Sequence, residues 1–179
     1  MNQIIFQYLN NLAGRSYIFD SFIVFCAEGL PYVLVAVFLA ILIFSKKTYR
    51  EKIKIFIFAG ISIFLSRIVI TEAIRYFYHV SRPFVNNNVN QLIFHEVSGS
   101  FPSGHATFFF ALAMAVYLSL NKKWGWLFFA GAVLISLSRV IAGVHWPYDI
   151  LAGAIVGVLS AFVVYYFSKS WLQKGPDSV

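Results

Sequence analysis

Residues 19–44 read FDSFIVFCAEGLPYVLVAVFLAILIF, with Asp20 and Glu28 as the charged positions in the run. A hydrocarbon core of about 30 Å is crossed by about 20 apolar residues in a helix, so this stretch predicts a membrane span rather than a soluble core helix. Four more runs satisfy the same ruler, at residues 53–78, 105–120, 124–142 and 147–167. The fold class predicted is therefore all-α: a polytopic membrane bundle of about five transmembrane helices. Residues 2–12 differ, because Ile4, Ile5, Tyr8, Leu9 and Leu12 fall at helical spacing against Gln3, Gln7, Asn10 and Asn11. That pattern predicts an amino-terminal interfacial helix, and without the basic leader of a secretory signal it is expected to be retained.

The whole composition agrees with that one segment. Of 179 residues, 60% are hydrophobic and 12% charged, against about a quarter charged in soluble domains. A single cysteine, Cys26, and five prolines exclude disulfide-stapled and collagen-like classes. With no internal repeat or linker, residues 1–179 read as one membrane-embedded domain.

The net charge of +7 suggests nucleic acid until the basic residues are placed. Lys46, Lys47, Arg50, Lys52 and Lys54 follow the first span, Lys122 and Lys123 the third, and Lys169 and Lys174 the fifth. All three clusters lie on one side of the bundle, which the positive-inside rule makes cytoplasmic. No nucleic-acid partner is expected; the partner is the bilayer. The amino terminus, residues 79–104 and the turn at 143–146 then face outwards.

That outer face collects a distinctive set of side chains. Arg75 and Arg82-Pro83 close the second span, and Pro102-Ser103-Gly104-His105 opens the third, with Ser103 at the N-cap position and free N–H groups beyond it. Ser138-Arg139 ends the fourth span, and His145-Trp146-Pro147-Tyr148-Asp149 opens the fifth with Pro147 suited to the first helical position. Taken singly, a boundary histidine is an interfacial side chain and an arginine near a helix end snorkels; His79, His95 and Arg67 are read that way, or Arg67 as a structural pair. Glu28 and Glu72 are expected in buried pairs with arginine, and Cys26 in packing.

In combination, several arginines converging with a serine, two histidines and an aspartate point to a polyanionic ligand, since guanidinium forks match phosphate oxygens. His105, His145 and Asp149 could ligate zinc in principle, but the spacing lacks a metal signature and the arginines would repel a dication, so no metal or cofactor is expected.

The pattern Arg75-x6-Arg82-Pro83, then Pro102-Ser103-Gly104-His105, then Ser138-Arg139-x5-His145-x3-Asp149 resembles the three-part signature of the type 2 phosphatidic acid phosphatase superfamily, shared with vanadium haloperoxidases. Within it, the short all-membrane layout and Arg82-Pro83-Phe84 resemble the bacitracin-resistance type of undecaprenyl diphosphatase. One departure is Arg75, where the broader family usually has lysine. The resemblance implies that His145 is the nucleophile and forms a phosphohistidine, that Asp149 holds its other ring nitrogen, and that His105 is general acid and then base. Arg75, Arg82, Arg139, Ser103 and the Gly104 backbone would bind the phosphate oxygens.

The expected substrate is a polyprenyl or glycerolipid phosphate, with undecaprenyl diphosphate favoured. Phosphatidylglycerophosphate, phosphatidic acid and lipid A phosphates are alternatives, and an anion transporter is the non-enzymatic one. Residues 86–94 and Trp146 are read as a lid and an interfacial contact over the site.

Overall fold

The computed structural model describes residues 1–86 and 88–173. Seven helices follow in order: α1 (Asn2–Asn10), α2 (Tyr17–Phe44), α3 (Tyr49–Phe77), α4 (Pro83–Asn86), α5 (Gly104–Ser119), α6 (Lys122–Ile141) and α7 (Pro147–Gln173). Among the described residues there is no strand.

Local chemistry sets several of these boundaries. At the start of α3 the Glu51 N–H donates to Thr48 Oγ1 at 3.4 Å and Glu51 Oε2 accepts from the Thr48 N–H at 2.8 Å, a capping box directly after the basic loop. Asn121 caps α6 by accepting the Lys123 N–H at 2.8 Å. Two helices contain π-helical turns, Phe25–Gly29 in α2 and Phe64–Ile70 in α3.

α2, α3, α6 and α7 are long and apolar enough to cross a membrane. α5, the third of the five expected runs, is the shortest of them: its 16 residues reach about 24 Å at 1.5 Å per residue. It can be short because it is the central helix, packed by α3, α6 and α7. Ala106, Ala111, Ala113 and Ala115 are fully buried along it. α7 meets α5 at Gly153 and Gly157, where a Cβ on Gly157 would lie 2.5 Å from the Thr107 carbonyl oxygen. This small-residue stripe, four apart on one face, lets two backbones touch as membrane helices commonly do.

The bundle has two unlike ends. Lys47, Glu51 and Lys54 share a cleft with Leu118, Ser119 and Leu172, and Lys46 and Lys47 share another with Asn121 and Trp124. The basic loops therefore meet at the end where α5 finishes, while Gly104 at its start lies at the other. Lys174 lies outside the described residues.

α1 is helical as expected. Phe6 and Asn10 are its buried positions, whereas Ile4 and Tyr8 stay exposed. Phe6 packs on Trp146 and the Asn10 side chain donates to the Asn90 and Ile141 carbonyls, each at 2.9 Å, so the apolar stripe of the predicted interfacial helix is left for lipid.

Candidate active site

Three connections deliver the site. Gly143 turns the chain between α6 and α7 with φ +81°, and a Cβ there would lie 2.5 Å from Val89 Cγ1; glycine is required both for conformation and for space. The turn directs His145 inwards, where it is buried. Asp149, in the first turn of α7, accepts the Trp146 N–H on Oδ2 at 2.8 Å and lies 3.2 Å from His145 Nδ1 through the same oxygen. Ser100 donates its hydroxyl to that carboxylate too. The Ser103 N–H donates to the Asp149 carbonyl at 3.0 Å, which joins the start of α5 to the start of α7.

With Nδ1 facing the carboxylate, Nε2 faces Arg82, whose Nη1 is 3.3 Å away. Arg82 is anchored by donating from Nη1 to the Val144 carbonyl at 2.9 Å and from Nη2 to Ser98 Oγ at 3.2 Å. Arg139 donates to the Ala27 carbonyl at 3.5 Å, and Arg75 to the Pro102 carbonyl at 3.0 Å. Arg82 and Arg139 are 2% and 3% exposed, yet among the described residues neither forms an ion pair. Buried charge without a counter-charge is costly. Arg75 Nε, Arg82 Nε, Arg139 Nε and Ser103 Oγ are also buried with no hydrogen-bond partner. Three guanidinium N–H groups and a hydroxyl, each buried and unsatisfied on a residue near His145 or the start of α5, are donors of the kind that bind phosphate oxygens.

Electrostatics keep the central ring neutral. Burial, then Arg139 and Arg82, hold His145 well below the ordinary histidine range. Burial and Arg75 push Arg82 down to about 10, so it stays charged near neutral pH. A neutral imidazole with Nδ1 engaged carries its lone pair on Nε2, the atom through which a histidine can do nucleophilic chemistry. Among the described residues, no three His, Cys, Asp or Glu side chains gather as a metal-ligand set.

A cavity of about 610 Å³ adjoins this centre. Arg67, His95, Gly104, His105 and Arg139 line one part of it, and Pro31, Tyr32, Val35, Phe108 and Phe109 another. Tyr32 is 80% exposed on α2, so the cavity opens towards the lipid-facing surface. His105 stacks on Phe109 with centroids 6.4 Å apart.

Residues 56–172 match the PAP2 superfamily. This chain belongs to the PAP2 superfamily. It is 33% identical to "Undecaprenyl-diphosphatase BcrC" of Bacillus subtilis, over 94% of this chain and 84% of that one. It is 32% identical to "Bacitracin transport permease protein BcrC" of Bacillus licheniformis, over 90% of this chain and 77% of that one. The crystal structure of Aquifex aeolicus LpxE superposes with a TM-score of 0.74 at 27% identity, covering 92% of this chain and 94% of that one.

The PAP2 signature positions, scattered from Arg75 to Asp149 in sequence, all lie at the end of the bundle opposite the basic loops. Ser103 occupies the N-cap position, as expected, and its side chain makes no capping hydrogen bond, which leaves its hydroxyl free. Within the stretch read as a lid, Asn90 donates through its backbone to Asn10 Oδ1 at 3.0 Å and Leu92 to the Ala142 carbonyl at 3.2 Å. Trp146 is pinned as well, donating to the Ser81 carbonyl at 2.9 Å and packing on Phe6.

Several site residues of this PAP2 chain lie outside the signature. Ser100 supports Asp149, Ser98 supports Arg82, and His95 lines the cavity with its ring 6.5 Å from that of His145. Burial and Arg82 lower His95 below its ordinary range. Spacing could not single out these loop residues, since they reach the site through an irregular segment. Glu72 does pair with arginine, at 2.5 Å to Arg67 and 3.3 Å to Arg75, but it is half exposed rather than buried. Glu28 lines the cavity and forms no ion pair among the described residues.

Proposed function

We propose that this chain is an integral membrane lipid phosphatase of one domain, 1–179, that hydrolyses undecaprenyl diphosphate to undecaprenyl phosphate and inorganic phosphate. The observation that carries the reading is the pair of buried, unpaired guanidiniums, Arg82 and Arg139, beside a neutral His145 whose Nδ1 faces Asp149. The identity to a relative named as an undecaprenyl-diphosphatase supports the substrate.

In the reaction, His145 Nε2 attacks the terminal phosphorus and the bond to the bridging oxygen breaks. Its electron pair stays on the departing lipid phosphate, to which His105 can give a proton. Arg75, Arg82, Arg139, Ser103 and the Gly104 N–H hold the equatorial oxygens, where transfer demands charge stabilisation. His105 then takes a proton from water as the water oxygen bonds to phosphorus; the P–N bond breaks with its electron pair returning to Nε2, and phosphate leaves with His145 neutral again. No metal enters any step. The site faces the extracytoplasmic side, a reading supported by the lysine-rich opposite end.

The charges favour an enzyme over an anion carrier, which would hold polar groups near the membrane midplane on broken helices. The test is phosphate release by purified protein in detergent with excess chelator, comparing undecaprenyl diphosphate, phosphatidylglycerophosphate and phosphatidic acid. Chelator-resistant release with preference for the polyprenyl diphosphate is expected. Loss of activity in chelator would overturn the mechanism, and preference for a glycerolipid would overturn the substrate.

A further inference from the structure

Each π-helical turn places one charged residue on the wall of the same cavity: Glu28 from α2 and Arg67 from α3. Such turns are rare and recur at functional sites, and neither residue belongs to the signature. Arg67 lies hard against the start of α5, since a Cβ on Gly104 would sit 2.5 Å from its Nε. Its Nη1 pairs with Glu72 at 2.5 Å, and the same carboxylate oxygen holds Arg75 Nη1 at 3.3 Å. Glu72 thus sets two arginines side by side, one reaching the Pro102 carbonyl and the other lining the cavity with His105 and Arg139.

We propose that Arg67 binds the lipid-side phosphate of a diphosphate substrate and so determines the preference for diphosphates over monophosphates. This rests on the substrate reading above. A terminal phosphate between His145 Nε2, Arg82, Arg139 and Ser103 has Asp149, Ser100 and Val144 behind it. The second phosphate, one P–O–P bridge away, has room on the cavity side, and there the cationic group beyond the signature is Arg67. Glu28 shares that cavity, but a carboxylate repels a phosphate rather than binding it. When the bridge breaks, the bridging oxygen keeps the electron pair and becomes a terminal oxygen of the lipid monophosphate, and Arg67 stabilises that added charge. A monophosphate ester releases an alcohol instead and offers Arg67 nothing to hold.

The experiment measures kcat/KM of wild type, Arg67→Gln, Arg67→Lys and Glu72→Gln on a polyprenyl diphosphate and the matching monophosphate. Inhibition by inorganic pyrophosphate and by phosphate is measured in parallel on whichever lipid the wild type cleaves. Arg67→Gln should lose about tenfold or more on the diphosphate, the scale of one charge-assisted hydrogen bond, with a change below about threefold on the monophosphate. Pyrophosphate inhibition should weaken in step while phosphate inhibition holds, and Arg67→Lys should recover part of both. Glu72→Gln removes the shared acceptor that positions Arg67, so it should lower the diphosphate preference in the same direction but by less than Arg67→Gln. Equal losses on both lipids, copied by Glu72→Gln, would make Arg67 a structural partner of Glu72 and overturn the proposal, as would no loss at all. A wild type that cleaves monophosphates alone would remove the substrate reading, and the pyrophosphate arm would still decide Arg67.

Discussion

Asp149 Oδ2 lies 3.2 Å from His145 Nδ1 and 2.8 Å from the Trp146 backbone nitrogen. One oxygen therefore both fixes the imidazole and closes the first turn of α7, so the orientation of the ring and the helix start are a single structural unit. A carboxylate at the third helical position also suits the positive end of the helix dipole.

Asp149→Asn keeps the shape of that unit while removing the acceptor that selects the Nδ1–H tautomer. Turnover should fall by about 10³-fold or more, as for the corresponding change in a serine-protease triad, with KM much less affected. His145→Ala should lose turnover together with any acid-labile phosphoenzyme, detected by rapid acid quench with labelled substrate. A phosphoenzyme that persists in His145→Ala would remove that residue from the nucleophile role.

His105→Ala should harm a lipid monophosphate more than a lipid diphosphate. An alkoxide leaving group needs the proton that a general acid supplies, a contribution of about 10² to 10⁴, whereas a departing phosphate needs it less. The ratio of the two kcat/KM losses is the readout, and equal losses would reject the assignment.

Gly157→Val should lower the thermal unfolding temperature in detergent, because its Cβ would meet the Thr107 carbonyl oxygen at 2.5 Å and the Ala111 nitrogen at 2.8 Å. Overpacking of this kind costs about 1–3 kcal/mol. Gly60→Ala in α3 is the control, since a Cβ there has nothing within 4 Å; it should be neutral or stabilising by up to about 1 kcal/mol.

Folded His145 stays neutral well below the range where an unfolded histidine takes up its proton, near pH 6.5. Folding thus excludes a proton there: this contribution to stability is complete above about pH 6.5 and declines as pH falls, by up to about 1.4 kcal/mol per unit. Thermal unfolding between pH 7.5 and 5.5 should be less steeply pH-dependent in His145→Asn than in the wild type. Parallel profiles would mean that His145 is protonated in the fold.

Residues 19–44 and the four later apolar runs made the membrane bundle legible, because span length depends only on local composition and the thickness of hydrocarbon. The lysine clusters separated the two ends for the same local reason. The short third run was already visible at residues 105–120; that this helix is the one enclosed by three others came only from packing. Gly153 and Gly157, plain in the sequence, acquired their meaning once α5 was found against them.

The sequence by itself determined the fold class, the polar end of the bundle and the residue types gathered there, since spacing within a helix or turn is short-range and survives as pattern. Tertiary structure alone decided which charges are buried and which donors are left unsatisfied. Arg82 and Arg139 could have been paired, as Arg67 and Arg75 are through Glu72. Their isolation beside His145 arises from contacts between distant segments, including Ala27 with Arg139 and Val144 with Arg82. Ser100 and Arg67 enter the site by the same route, one through an irregular loop and the other through a π-helical turn. No periodicity encodes those positions, because they depend on where other helices stand.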